Sequence, residues 1–157
     1  MQTPYLLELQ AFCEALQSGD AAGVERQFNS YLKKTISIRD TFVRRDTKEN
    51  FYHGILLGLL GYKGGWYVRS NREAGTGYSD IQVEIEDEGI GIVIEVKYAH
   101  HSDMESLCEE ALAQIERARY AEQLSEVGMH TVLQYGIACY QKTCRVVCRQ
   151  DDYIHWK

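Results

Sequence analysis

Three charged residues occupy two short segments in which apolar and polar side chains alternate. Asp80 begins the first segment, residues 80–86, while Glu95 and Lys97 lie near the end of the second, residues 90–97. Alternation with a period of two predicts strands that have one apolar and one polar face. A short turn separates the segments, so the sequence predicts an antiparallel hairpin with these charges on its polar face.

The apolar residues of the hairpin restrict its register. Directly opposed residues of an antiparallel pair point to the same face. If the isoleucines of both strands share a face, the numbers of opposed residues sum to 175 or 177. The first register places Asp80 opposite Glu95, and the second places it opposite Lys97. Both bring the three charged groups together at the open end of the hairpin.

Two carboxylates at cross-strand distance, with Cβ atoms about 5 Å apart, repel each other unless a cation lies between them. A divalent ion such as Mg²⁺ prefers such oxygen ligands, and it can polarise a phosphoryl oxygen and lower the pKa of a bound water. Lys97 could then orient the water or stabilise charge on a phosphate. The alternative is a solvated polar sheet face with a Glu95–Lys97 ion pair of little energetic value.

Two more polar residues are expected to point inward. Gln114 shares a helical face with apolar residues of the segment 103–126, so its amide should face the sheet and needs a partner. Glu49 shares a face with His53 on a helix predicted over about 48–60. A capping-box-like helix start at Asp46 is the alternative explanation for Glu49.

These residues, in this order, resemble a known superfamily. Asp80, then Glu95-Val96-Lys97, then Gln114 and Tyr120 on the next helix follow the signature of the PD-(D/E)XK nucleases. The strings FYHGILLGLLGY, VRSNREAGTGYSDI and IVIEVKY are similar to a bacterial family that commonly occurs C-terminal to an AAA-type ATPase-like domain. The resemblance spans roughly residues 45–148. Ser79 stands where the eponymous proline would be.

The resemblance implies a fold and a set of roles. The fold would be α/β, with a restriction-endonuclease-like core whose mixed central sheet is flanked by helices. Asp80 and Glu95 would be metal ligands for Mg²⁺ or Mn²⁺, with the Val96 carbonyl as a third, and Lys97 would be the catalytic lysine. Glu49 would be an accessory acid and Gln114 a residue that supports the site.

Weaker expectations concern the substrate. Arg72 could contact a phosphate, with an ion pair to Glu73 as the alternative. His53 could also reach a phosphate, although a buried histidine with a satisfied partner explains it as well. The expected substrate is nucleic acid, DNA more than RNA. A catalytically silent PD-(D/E)XK module that binds nucleic acid or protein, and a regulatory or dimerising appendage of an ATPase, remain alternatives.

Composition restricts the class of protein. The 157 residues are 45% apolar and 25% charged, with a net charge of −6, which disfavours a sequence-blind nucleic-acid binder. No signal peptide or membrane-spanning run is recognised, and five cysteines without paired CxxC spacing indicate reduced thiols in the cytoplasm rather than a zinc site.

The elements that must position the site follow a simple order. Helices are predicted over residues 3–17 and 21–34, followed by the helix 48–60, a strand near residues 66–70, and the hairpin. A long helix over 103–126 and a final hairpin, residues 131–140 and 143–149, complete the chain. We expect an N-terminal helical segment, residues 1–45, that is a connector or packing extension, and a nuclease-like domain over residues 46–157.

Overall fold

The structure is a computed structural model that describes residues 4–35, 45–72, 79–100 and 103–153. The helices are α1 (Pro4–Ser18), α2 (Ala21–Thr35), α3 (Arg45–Leu60), α4 (Met104–Ala118) and α5 (Tyr120–Glu126). The strands are β1 (Tyr67–Arg72), β2 (Ser79–Ile85), β3 (Ile90–Tyr98), β4 (Thr131–Tyr140) and β5 (Thr143–Asp152). Every helix among the described residues is too short or too polar to cross a membrane.

The five strands form one mixed sheet in the order β1-β2-β3-β4-β5. Only the β3–β4 pair is parallel, and the other three pairs are antiparallel. A parallel pair needs a crossover connection, which α4 and α5 supply. The predicted α/β architecture with a mixed central sheet flanked by helices is therefore confirmed.

The two faces of the sheet are covered by different helices. On one face, α1, α2 and α3 pack in a core that includes Leu16, Phe28, Ile81 and Ile94. On the other face, α4 and α5 pack on β3–β5, where Leu112 and other apolar residues contact the sheet. Alternation along β2 and β3 directs the isoleucines to the first face and the charged residues to the second.

The first two helices share the core of the sheet. Leu16 and Phe28 are fully buried within it. The Tyr135 hydroxyl donates to the Leu16 carbonyl at 2.7 Å, and the Asn29 side chain exchanges two hydrogen bonds with the backbone of Cys144 in β5. Residues 4–35 are thus packed against the sheet by apolar burial and by hydrogen bonds.

The single helix predicted over residues 103–126 is wrong. The helix stops at Ala118, and Arg119 takes a left-handed conformation with φ 59° before α5 begins. Non-glycine residues adopt this conformation uncommonly, so nothing about an arginine at this position predicted a break. The helical periodicity on both sides of Arg119 gave no sign of it either. The break lets α4 and α5 follow the sheet separately, with Leu112 and Leu124 in one apolar cluster.

Gly136 allows α4 to lie close to the sheet. A Cβ atom at this position would collide with the carbonyl oxygen of Cys108 in α4. Gly136 is the register partner of Glu95 on the neighbouring strand. The missing side chain therefore lets α4 approach β4 beside Glu95, which is where Gln114 must reach the sheet.

Candidate active site

The register of the central hairpin brings the two carboxylates together. Ile81 pairs with Ile94, and this register continues to Ile85 opposite Ile90. The sum of 175 is therefore confirmed, and one further step places Asp80 opposite Glu95. Both side chains are buried, each 2% exposed. Two buried carboxylates on neighbouring strands and on the same face form the centre of the candidate site.

Lys97 and Gln114 complete a hydrogen-bond network around Glu95. Lys97 Nζ donates to Gln114 Oε1 at 2.5 Å, and Gln114 Nε2 donates to Glu95 Oε1 at 3.2 Å. We call these three residues the Gln114 relay. The inward orientation predicted for Gln114 is confirmed, because its amide lies between a cation and a carboxylate. The side chain of Lys97 is buried and lies on the same face as Glu95.

Glu49 approaches the same end of β3 from α3. It is buried, and its Oε1 accepts a hydrogen bond from the Tyr98 amide at 3.2 Å. The next amide along the strand, that of Ala99, donates to Cys139 in β4, so the Tyr98 amide points away from β4. Glu49 therefore lies beside the residue that follows Lys97, and its inward orientation is confirmed. Its contact is with the backbone of β3.

The two residues expected to contact phosphate differ in what the structure shows. His53 Nε2 lies 2.9 Å from Ser70 Oγ in β1. Ser70 pairs with Ile81 and so faces α3, on the side of the sheet opposite Asp80 and Glu95. This hydrogen bond joins His53 to β1, and its contact with a phosphate stays a prediction. The Arg72 side chain lies outside the described part of the molecule.

Two contacts near Asp80 were not foreseen. Gln82, 2% exposed, donates from Nε2 to Asp80 Oδ2 at 3.3 Å. Arg69 in β1 donates from Nη2 to Gln82 Oε1 at 3.2 Å. We call Arg69, Gln82 and Asp80 the Gln82 relay. Strand alternation alone could have placed Gln82 on the face of Asp80, but the contact with Arg69 depends on the pairing of β1.

The donor set around Asp80 and Glu95 suits a divalent cation with hard oxygen ligands. Two buried carboxylates are present, and the Val96 carbonyl follows Glu95 directly in β3. Within residues 4–35, 45–72, 79–100 and 103–153, no group of three or more His, Cys, Asp or Glu side chains could hold a metal ion. The predicted metal site is compatible with this finding, because it contains only two such side chains, Asp80 and Glu95, and takes its third oxygen from the Val96 backbone.

The buried thiols are poorly suited to metal binding or nucleophilic attack. Burial, followed by the charges of neighbouring thiols, raises the pKa of Cys139 well above its ordinary value, and burial is also the main cause of the raised pKa of Cys144. All five cysteines are free. The raised pKa keeps these thiols protonated near neutral pH. They are therefore unreactive there, because the thiolate is the reactive and metal-binding form.

Comparison of the chain with known protein families agrees with the geometry of this site. A family model described as the PD-(D/E)XK nuclease superfamily matches residues 47–149, about two-thirds of the chain. The chain belongs to the PD-(D/E)XK nuclease superfamily, and its fold is consistent with a restriction-endonuclease-like core. Nucleases of this superfamily generally use divalent metals, typically Mg²⁺, and the superfamily suggests a nucleic-acid substrate. Neither the curated proteins nor the solved structures give a match.

Proposed function

We propose that this protein is a divalent-metal-dependent nuclease that hydrolyses phosphodiester bonds of nucleic acid. The observation that supports this most strongly is the placement of Asp80 and Glu95, both buried, on neighbouring strands and on one face of the sheet. Without a cation, such a pair is destabilised by repulsion between like charges. A fold that retains this arrangement gains nothing from it in stability, so a binding role accounts for it better.

Each residue would have a defined role in hydrolysis. Asp80, Glu95 and the Val96 carbonyl would hold Mg²⁺ or Mn²⁺, which when bound activates water and offsets charge on the phosphate. Lys97 would orient the attacking water or stabilise the negative charge that develops on the phosphate. Gln114 would hold Lys97 and Glu95 in a fixed relative position through its two hydrogen bonds. Glu49, beside Tyr98, would be an accessory acid.

A second function is favoured by the charge of the protein. The net charge of −6 weakens long-range attraction to nucleic acid, and the buried carboxylates already accept hydrogen bonds from Gln82 and Gln114. A catalytically silent module that binds nucleic acid or a protein partner would need no metal. An attached AAA-type ATPase domain and a homodimer remain proposals that fit either function.

Cleavage of defined substrates tests the nuclease proposal. Labelled single-stranded and duplex DNA, and then RNA, would be incubated with Mg²⁺ or Mn²⁺ and with wild type, Lys97→Met or Lys142→Met. We expect wild-type cleavage to fall about 10²- to 10³-fold in Lys97→Met, because a preorganised charge at the reacting phosphate is lost. Lys142, in the turn between β4 and β5, is the matched control and should not matter.

Two results would contradict the proposal. Equal cleavage by wild type and Lys97→Met would assign the activity to a contaminant or to other residues. If wild type neither cleaves these substrates nor binds Mn²⁺, the result would favour the silent module.

A further inference from the structure

Asp80 is held by a hydrogen-bond relay of the same kind as the one that holds Glu95. In the Gln114 relay, a cation donates to a glutamine carbonyl and the glutamine amide donates to Glu95. In the Gln82 relay, Arg69 takes the place of the lysine and Asp80 that of the glutamate. A glutamine whose carbonyl accepts from a cation has its amide group turned the other way, toward the carboxylate.

The burial of Gln82 makes this orientation costly to lose. Its side chain is 2% exposed, so its amide must find partners inside the protein. Arg69 is anchored in turn, since its guanidinium also forms an ion pair with Glu84 at 3.5 Å. Register places Arg69 opposite Gln82, and Asn71 opposite Asp80, so the relay follows the β1–β2 ladder toward the carboxylates.

We infer that Gln82, held by Arg69, is a positioning residue that fixes the Asp80 carboxylate for metal binding. The inference rests on the proposed function, because it assumes that Asp80 binds a divalent metal. A hydrogen bond from Gln82 to Oδ2 restricts rotation of the Asp80 carboxylate and so fixes the positions of both carboxylate oxygens. Partners of this kind behind a metal ligand typically change metal affinity about 10- to 100-fold when they are removed.

A third relay provides a matched control. Gln134 in β4 is also 2% exposed; it accepts from Arg149 Nη2 at 2.9 Å and donates to the Asp151 carboxylate. This Gln134 relay lies on the same face of the sheet as the Gln82 relay but involves neither Asp80 nor Glu95. Replacing Gln134 should therefore disturb folding as much as replacing Gln82, without changing the proposed metal site.

The experiment measures the Mn²⁺ concentration needed for a fixed rise in the thermal midpoint of unfolding, which increases in proportion to the dissociation constant of the metal. Wild type would be compared with Gln82→Met, Arg69→Met, Gln134→Met and Arg149→Met. We expect Gln82→Met to raise this concentration about 10- to 100-fold. Arg69→Met should raise it less, because Gln82 remains but its amide is no longer held. The two control variants should keep the wild-type value even if their metal-free midpoints fall.

The possible outcomes separate the inference from the proposed function. If wild type responds to Mn²⁺ and Gln82→Met responds at the same concentration, Gln82 does not position Asp80 and the inference is wrong. If wild type ignores Mn²⁺, both the inference and the proposed function fail. If Gln82→Met does not fold, Arg69→Met decides, because Arg69 is half exposed: an unchanged Mn²⁺ response in Arg69→Met would overturn the inference.

Discussion

Two regions on one face of the sheet contain the same hydrogen-bond relay but differ in what surrounds it. Near Asp80, the Gln82 relay lies beside a second carboxylate, Glu95, with a relay of its own. At the other region, the Gln134 relay ends on Asp151, and Arg149 also pairs with Glu116 at 3.8 Å. The first region thus concentrates two buried carboxylates, whereas the second balances its carboxylate with an arginine in partly exposed surroundings.

The comparison shows that a cation–amide–carboxylate relay does not by itself define a site. In the Gln134 relay it satisfies a buried glutamine and links β4 to β5, which is a structural role. The distinguishing feature of the first region is the cross-strand pair of carboxylates, which stability alone does not favour. Proteins commonly accept such local destabilisation at functional sites.

The largest effect is expected from Gly136→Ala, which would move α4, and Gln114 with it, away from the sheet. The new Cβ would collide with the Cys108 backbone, so α4 must shift. We expect a loss of about 1–3 kcal/mol in the free energy of unfolding, measured with urea. Gly54→Ala is the control, because among the described residues a Cβ added there would meet no atom within 4 Å apart from its own helix backbone and chain neighbours. This control should stabilise the protein by about 0.5–1 kcal/mol, since alanine favours a helix interior.

A result in which Gly136→Ala is as stable as Gly54→Ala would show that α4 does not need the close approach. The placement of Gln114 would then need another explanation. Because Gly136 is the register partner of Glu95, the metal response of a folded Gly136→Ala protein would also show whether this helix supports the site.

Neutralising one carboxylate in each region should change the free energy of unfolding by an intermediate amount, in opposite directions for the two regions. Without metal, Asp80→Asn should raise the free energy of unfolding by about 1 kcal/mol, because it removes one of two like charges. Asp151→Asn should lower it by about 0.5–1 kcal/mol, because it weakens a favourable hydrogen bond. Thermal unfolding in a metal chelator would show midpoint shifts of about 2–4 °C in opposite directions. Shifts of the same sign would remove the distinction between the regions.

The last effect is absent near neutral pH, because it concerns the alkaline titration of a thiol that belongs to neither set of carboxylates. Burial, the main cause, raises the pKa of Cys108 from 9.0 to about 11. The folded state then favours the protonated thiol, so its contribution to stability is complete below about pH 9 and is lost as the pH rises through 11. Cys108→Ala should therefore show a shallower loss of stability between these values in urea unfolding. An identical pH profile would contradict the assignment.

Much of the central hairpin could be predicted because strand alternation has a strict period. That period placed Asp80, Glu95 and Lys97 on one face, and only the choice between two registers needed the structure. Gln114 was similarly accessible from helical periodicity. These predictions required only local spacing and the rule that opposed residues share a face.

The features that escaped prediction depend on contacts between distant segments or on an uncommon backbone conformation. Arg69 reaches Gln82 only because β1 pairs with β2, and a glutamine on a polar strand face gives no sign of such a partner. The left-handed turn at Arg119 interrupts a pattern that is helical on both sides. Gly136 is recognisable as a close approach only once α4 is placed over β4.

The most direct test of the central claim is to measure bound Mn²⁺ by electron paramagnetic resonance, since the signal of free Mn²⁺ decreases as the ion binds. Wild type, Asp80→Asn, Glu95→Gln and Asp151→Asn would be titrated at equal protein concentration. Our account predicts that wild type and Asp151→Asn bind Mn²⁺ alike, whereas Asp80→Asn and Glu95→Gln lose it. Equal binding by all four proteins, or loss of binding in Asp151→Asn alone, would contradict a metal site formed by Asp80 and Glu95.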